Sequence, residues 1–110
     1  MTTTVTAHMR TCGKTNRVTA ELQDDGSLKI SIVSDCPNVR IYAEKLQTVS
    51  AEDVCDFRNS KVVDPDVRAS LSVPCLTPIA VFNAAWIELG MLSKSLAKDA
   101  GENSVSFDLE

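Results

Sequence analysis

The sequence predicts an α+β domain of two layers, in which helices pack on one face of a four-stranded sheet. The first third of the chain alternates apolar and polar residues with a period of two, whereas most of the remainder has helical spacing. A final alternating segment, Val105 to Leu109, predicts a last strand. The expected order is β-β-β-α-α-α-α-β: a three-stranded antiparallel meander plus a C-terminal strand parallel to its neighbour, which makes the sheet mixed.

Three alternating segments define the meander. An Asp25-Gly26 pair between the second and third segments is typical of a tight hairpin turn. His8 falls on the polar face of the first strand, so we expect a solvated histidine rather than a metal ligand. The apolar positions are Val5, Ala7 and Met9, then Val18, Ala20 and Leu22, then Leu28, Ile30 and Ile32.

Helical spacing begins at Pro37. Proline at the first helical position makes Cys36 the expected N-cap residue. The capping-box pattern from Ser50 to Asp53 predicts a short second helix. The apolar stripe of the first helix is formed by Val39, Tyr42, Ala43 and Leu46.

A third helix is predicted from Asp64-Pro65, and a fourth, long helix from Pro78 to about Leu92. The long helix is apolar nearly all round, so we expect it at the centre of the core. Phe82 and Trp86 lie one turn apart and are expected to pack there. Asn83 interrupts this segment and needs a buried hydrogen bond, a partner helix or a second subunit.

Composition and length indicate one domain, residues 1–110. The chain has 44% apolar residues, 24% charged residues and a net charge of −4, as in soluble globular proteins. This acidic balance argues against nucleic-acid and anionic-membrane partners. No apolar run reaches the length of a membrane span, and the first ten residues lack a signal-peptide pattern. We therefore expect a cytoplasmic protein with reduced thiols.

Four isolated cysteines are the best indication of chemistry. If the first strand runs upward, the hairpin that holds Cys12 and the end of the third strand, just before Cys36, lie at the same edge. If the short helices return the chain to that edge, Cys75 joins them and the long helix descends. A last strand antiparallel to its neighbours would instead place Cys75 at the opposite end.

Thiols at such an end suit metal binding. A helix N-terminus offers unpaired N–H groups and partial positive charge, which stabilise a thiolate. Cys12, Cys36 and Cys75, with a fourth ligand from a side chain, water or partner, match zinc or an iron–sulfur cluster. Cys55 follows Val54 in the short second helix and is expected to be a buried apolar filler.

Short motifs around these cysteines resemble a family of small uncharacterised proteins found largely in anaerobic bacteria and methanogenic archaea. The matching segments are Cys12-Gly13, Ser34-Asp35-Cys36 before the first helix, and Cys75-Leu76-Thr77-Pro78 before the long helix. The family has C-P-V-P in the last position, so its first proline is missing here, as is a histidine just before that motif. The resemblance implies that Cys12, Cys36 and Cys75 form the family's set and that Cys55 lies outside it. It implies no activity.

Three hypotheses follow. The first is a metal-binding or iron–sulfur protein that uses Cys12, Cys36 and Cys75. The second is a thiol redox protein in which Cys36 is the nucleophile and Cys12 or Cys75 resolves the disulfide. The third is an interaction module without chemistry, in which the cysteines are core filler. It pairs as a homodimer or with a protein partner through its long helix or a sheet edge. The sequence contains no common hydrolase or nucleotide-binding motif, so it does not favour an enzyme.

Overall fold

The computed structural model describes residues 2–110 and has the α+β architecture that the sequence predicts. Four strands form one sheet, and helices cover one of its faces. The strands are β1 (Thr2–Met9), β2 (Lys14–Leu22), β3 (Leu28–Val33) and β4 (Thr48–Val49). The helices are α1 (Pro37–Leu46), α2 (Ala51–Cys55), α3 (Thr77–Glu88) and α4 (Lys94–Ala100), with a 3₁₀ turn at Lys61–Val63. Within residues 2–110, no helix is both long and apolar enough to cross a membrane.

The sheet has the order β1-β2-β3-β4, and every neighbouring pair is antiparallel. The predicted Asp25-Gly26 turn is present: the N–H of Gln23 donates to the carbonyl of Ser27 at 2.8 Å. Gly26 has φ +88, a left-handed conformation that glycine adopts without steric cost. β1 and β4 are the two edges of the sheet.

The core lies between the sheet and the helix layer. α3 packs over β1 and β2, while α1 packs over β3. Between these two helices, the buried hydroxyl of Tyr42 donates to the carbonyl of Val62 at 2.7 Å, which satisfies its polar end. The buried apolar residues are Ala7, Val18, Ala20, Leu28, Ile30, Val39, Tyr42, Leu46, Val49, Val54, Val62, Ala80, Val81, Ala84 and Ala85.

The prediction of a last strand at Val105 to Leu109 is wrong. The fourth strand is β4, which follows α1 directly and pairs with β3 through Leu28 and Val49. The sheet is therefore wholly antiparallel rather than mixed, and the fourth strand comes before the last three helices. An alternating pattern forms a strand only where a neighbouring strand is available for hydrogen bonding. Residues 101–110 follow α4 and pair with none of the four strands.

The predicted third helix at Asp64-Pro65 is replaced by turns. The Asp64 carboxylate accepts hydrogen bonds from the N–H groups of Asp66 and Val67, at 3.1 and 3.2 Å, as a helix cap would. One helical turn forms, in which the Arg68 N–H donates to the Asp64 carbonyl at 2.9 Å. The next bond is a tighter turn from the Leu71 N–H to the Arg68 carbonyl, and the Arg68 side chain donates to the carbonyl of Ser72 at 2.8 Å. Sequence reasoning also missed α4, which Ser93 caps by accepting from the N–H of Leu96 at 3.2 Å.

The long helix is shorter and less buried than predicted. It ends at Glu88, and Gly90 (φ +77) lets the chain turn back so that the Met91 N–H donates to the Trp86 carbonyl at 2.8 Å. Ile79 and Trp86 are 47% and 38% exposed, because a two-layer domain has no element outside its helix layer. The amide of Asn83 donates to the Ile79 carbonyl at 2.8 Å within the same helix.

Candidate functional site

Cys12, Cys36 and Cys75 lie at the same end of the sheet, which we call the cysteine end. Cys12 stands in the β1–β2 hairpin, between the paired residues Met9 and Lys14. Cys36 is the N-cap of α1, three residues beyond the end of β3. Strand order alone places these two together, because the β1–β2 turn and the end of β3 share an edge in an antiparallel meander.

The direction of α3 brings Cys75 to the cysteine end. Thr77, the first residue of α3, accepts a hydrogen bond from the side chain of Asn16 near the start of β2, at 3.0 Å. At the other end of the helix, the Glu88 carboxylate accepts from the Thr3 hydroxyl at 2.8 Å and from the Leu22 N–H at 3.2 Å. The helix therefore descends along the sheet, and Cys75 precedes its upper end.

A chain of hydrogen bonds connects the starts of the two helices. The Cys36 N–H donates to the Ser34 hydroxyl at 3.0 Å, and that hydroxyl donates to the side-chain oxygen of Asn16. The Asn16 amide nitrogen donates to the Thr77 hydroxyl oxygen, which lies 3.2 Å from the Cys75 sulfur. Asn16 and Thr77 are almost completely buried, at 1% and 0% exposure.

The donors in this chain point toward the Cys75 sulfur. When Cys75 is a thiolate it has no hydrogen to donate, so the Thr77 hydroxyl, which accepts from Asn16, is the donor in this contact. Linked hydrogen bonds polarise one another in a buried setting. The arrangement therefore supplies a hydrogen-bond donor where negative charge on the sulfur would develop.

A cation also lies close to Cys75. The Arg68 guanidinium and the Cys75 N–H both donate to the carbonyl of Ser72, at 2.8 and 3.1 Å. Burial raises the pKa of the Tyr42 hydroxyl, the charge of Arg68 lowers it, and Cys75 raises it further. Arg68 and the backbone of Cys75 thus share one carbonyl acceptor, just before the N-cap of α3 at Leu76.

The other two thiols have fewer contacts. Cys36 is half-buried and makes no side-chain capping hydrogen bond, so its sulfur is not committed to the helix. Cys12 is exposed, and its sulfur lies 3.7 Å from the Met9 carbonyl. An ion pair of 3.7 Å between Lys14 and Asp35 connects the hairpin of Cys12 to the residue before Cys36.

The sulfurs do not meet as a preformed metal site. Across the described part of the chain, no group of three or more His, Cys, Asp or Glu side chains is placed to hold a metal ion. The structure brings the three predicted cysteines to one end of the domain, but it leaves Cys12 on the exposed hairpin.

Cys55 is not the buried filler that the sequence predicts. It is exposed at the end of α2, and its sulfur lies 3.7 Å from that of Met91. It lines a shallow apolar groove of about 310 Å³ between α2 and α3. There Phe57 stacks on Phe82 with ring centroids 5.5 Å apart. The core beneath α2 is filled by Val54 instead. His8 is exposed, as predicted.

The buried residues Asn16 and Thr77 were not singled out from the sequence. A signal was present, because Asn16 continues the core-facing alternation of Val18 and Ala20. A polar residue on an apolar strand face needs a buried partner. Only the packing of α3 against β2 identifies that partner as Thr77.

Together these features define a small α+β protein with a thiol-bearing sheet end. The chain belongs to a family of unknown function (DUF6951), whose model matches residues 3–100. No curated protein and no solved structure matches the chain. The match confirms the resemblance to an uncharacterised family and includes the whole cysteine end, while residues 101–110 lie outside it.

Proposed function

We propose that this protein binds a soft metal ion, such as zinc, or an iron–sulfur cluster through Cys12, Cys36 and Cys75. The observation that carries the proposal is the shared position of the three thiols, at an end where the N-termini of α1 and α3 also meet. Thiolates are the preferred ligands of zinc in sulfur-rich sites and of iron–sulfur clusters. The partial positive charge of two helix N-termini offsets the negative charge that such a ligand set gathers.

In this proposal the three ligands have different parts. Cys75 is oriented by the Thr77 hydroxyl, the kind of outer hydrogen bond that positions metal ligands. Cys36 stands on the rigid start of α1, with a side chain free of other hydrogen bonds within the helix cap. Cys12, on the exposed hairpin, completes the set by closing over the end of the sheet. The fourth position is taken by water, a partner or a further side chain.

The test is metal analysis of protein purified without oxygen. We expect zinc or iron at near-stoichiometric content, with visible absorption if a cluster is present. Cys12→Ser, Cys36→Ser and Cys75→Ser should each lose most of the metal. The matched control is Cys55→Ser, which should retain it, because Cys55 lies in the groove between α2 and α3. Metal-free wild-type protein, or equal loss in the Cys55 variant, would contradict the proposal.

A second candidate function is thiol–disulfide exchange. The hydrogen-bond chain ending at Cys75 favours it, since a thiolate is the attacking species in such reactions. The sequence favoured Cys36 as nucleophile, but the donors converge on Cys75. In this candidate the Cys75 thiolate attacks a substrate disulfide and expels one substrate thiolate. Cys36 then attacks the mixed disulfide, releasing the second thiolate and leaving a Cys36–Cys75 disulfide as the substrate is reduced.

Oxidation with glutathione disulfide separates the two candidates. In metal-free protein, a Cys36–Cys75 bond identified by peptide mass spectrometry would support exchange. Cys36→Ser should then accumulate the glutathione mixed disulfide on Cys75, whereas Cys55→Ser should behave as wild type. Random glutathionylation, or modification of the exposed Cys12 and Cys55 alone, would rule this candidate out.

A further inference from the structure

Residues 101–110 carry three large apolar side chains that the domain does not cover. Val105, Phe107 and Leu109 are 72%, 70% and 85% exposed. They alternate with polar residues, so an extended backbone places all three on one side. α4, which precedes them, contains no buried residue, and residues 101–110 are exposed throughout.

The free edge of β1 is a second unpartnered feature of the same chain. β1 is eight residues long and pairs only with β2, so alternate N–H and C=O groups along Thr2–Met9 are unpaired on its outer side. It contains none of the prolines, charged inward-facing residues or bulges that commonly protect an edge. The apolar side chains of β1 that face the helix layer are also less covered than those of β2. Val5 and Met9 on β1 are only half-buried, whereas Val18 on β2 is fully buried.

We propose that residues 104–109 of one copy add as a fifth strand to the free edge of β1 in a second copy, reciprocally in a two-fold dimer. In this arrangement Val105, Phe107 and Leu109 lie beside Val5 and Met9 and extend the apolar row of the sheet. The added backbone satisfies the unpaired groups of β1, as in other cases of strand addition. Each copy has one free β1 edge and one unpaired C-terminal segment. In a two-fold dimer, the segment of each copy can therefore pair with the β1 edge of the other.

Charge supports this pairing. Residues 101–110 contain Glu102, Asp108 and Glu110 and no cation. The edge segment 2–10 contains no carboxylate, and its ionisable side chains are His8 and Arg10. Two reciprocal strand additions bury on the order of 1,500 Å², within the range of stable dimers. This interface lies outside the cysteine set and is independent of metal binding.

Sedimentation equilibrium of the full chain over a concentration series tests the proposal. We expect a reversible dimer, and Phe107→Asp should weaken it by at least about tenfold, because a buried aromatic at an interface centre becomes charged. Ser106→Asp is the matched control: it adds the same charge one residue away on the opposite side of the strand. It should change the dissociation constant by less than about threefold.

Amide hydrogen exchange of β1 locates the interface. In the dimer, alternate N–H groups of Thr2–Met9 should become protected as concentration rises, and Phe107→Asp should remove that protection. A protein that stays monomeric would overturn the proposal, whether β1 exchanges freely or is protected at all concentrations by its own segment. A dimer that persists in Phe107→Asp, or that leaves β1 amides unprotected, would also overturn it.

Discussion

Asn16 shows what one buried polar residue contributes in a small core. Its side chain is 1% exposed and is held by Ser34 on one side and Thr77 on the other. If a buried amide loses its hydrogen-bond partner, the free-energy cost of removing the amide from water is no longer offset by a hydrogen bond. The same contacts hold the start of α3 against β2, so the residue links stability to the position of Cys75.

Thr77→Val should therefore lower the stability of the protein markedly, although valine and threonine have nearly the same shape. The substitution keeps the shape but removes the acceptor of Asn16 and the donor to Cys75, at a cost of about 1–3 kcal/mol in the free energy of unfolding. Urea denaturation measures it. Thr4→Val is the control, because it removes the hydroxyl of an exposed pair with Thr19 and should cost no more than about 0.5 kcal/mol. Equal losses in the two variants would contradict the assigned role.

Asp53 should make stability depend on pH. Partial burial acts to raise its pKa, but hydrogen bonds from the N–H groups of Ser50 and Lys61 outweigh burial and lower it. Because the pKa is lower in the folded state, the carboxylate stabilises the protein above about pH 4, its unfolded pKa range. That contribution is lost as pH falls through the folded pKa.

Asp53→Asn tests this linkage. We expect the variant to be about 1 kcal/mol less stable than wild type at pH 7, since the capping box is weakened. The difference should shrink as pH falls below about 4. Thermal unfolding at pH 7 and pH 3 measures it, with Asp99→Asn on the exposed α4 as a control expected to change little at pH 7. If wild type and Asp53→Asn differ in stability by the same amount at pH 7 and pH 3, the ionised Asp53 carboxylate does not stabilise the fold.

Among the helices, the starts of α1 and α2 were predictable, whereas α4 was missed and the helix predicted from Asp64 does not form. Cys36, Pro37 and the Ser50–Asp53 capping box act within one turn of backbone, and the structure contains all of them. The Asp64 side chain accepts hydrogen bonds as a helix N-cap does, but no helix continues from it. The turns that replace the helix are held by contacts with residues distant in sequence. The Ser70 hydroxyl, for example, donates to the Asn38 carbonyl at 2.7 Å and ties the turns to α1.

The end of α1 contains the one non-glycine residue with positive φ in the described chain, Gln47 at φ +48. Its carbonyl accepts from the Ile30 N–H at 2.8 Å, so this conformation directs the chain from α1 into β4. Gln47→Gly should stabilise the protein by about 0.5–1 kcal/mol, because glycine adopts positive φ without a Cβ clash. Gln23→Gly, at ordinary φ, should be neutral or destabilising. Chemical denaturation of both variants measures the contrast, and destabilisation by Gln47→Gly would contradict it.

At the scale of the whole molecule, the fold sorts the four thiols by exposure. Cys12 and Cys55 are exposed, whereas Cys36 and Cys75 are half-buried. In metal-free protein, a thiol reagent should label the first pair faster than the second, as resolved by peptide mass spectrometry. In guanidinium chloride all four should react at similar rates. If Cys75 is labelled first in the folded protein, its reactivity exceeds its exposure, and thiol exchange is favoured over metal binding.

Local sequence patterns were enough to predict the meander, the starts of α1 and α2, and the shared edge of Cys12 and Cys36. These depend on alternation, capping and strand order, which act over short stretches of chain. Three features came only from the packed structure: Thr48–Val49 forms the fourth strand, residues 101–110 pair with no strand of their own copy, and Cys55 faces solvent. It also joined Asn16 to Thr77 across 61 positions. Strand pairing and burial depend on a partner that is distant in sequence. A local pattern can show that a segment needs such a partner, but it does not show which segment supplies it.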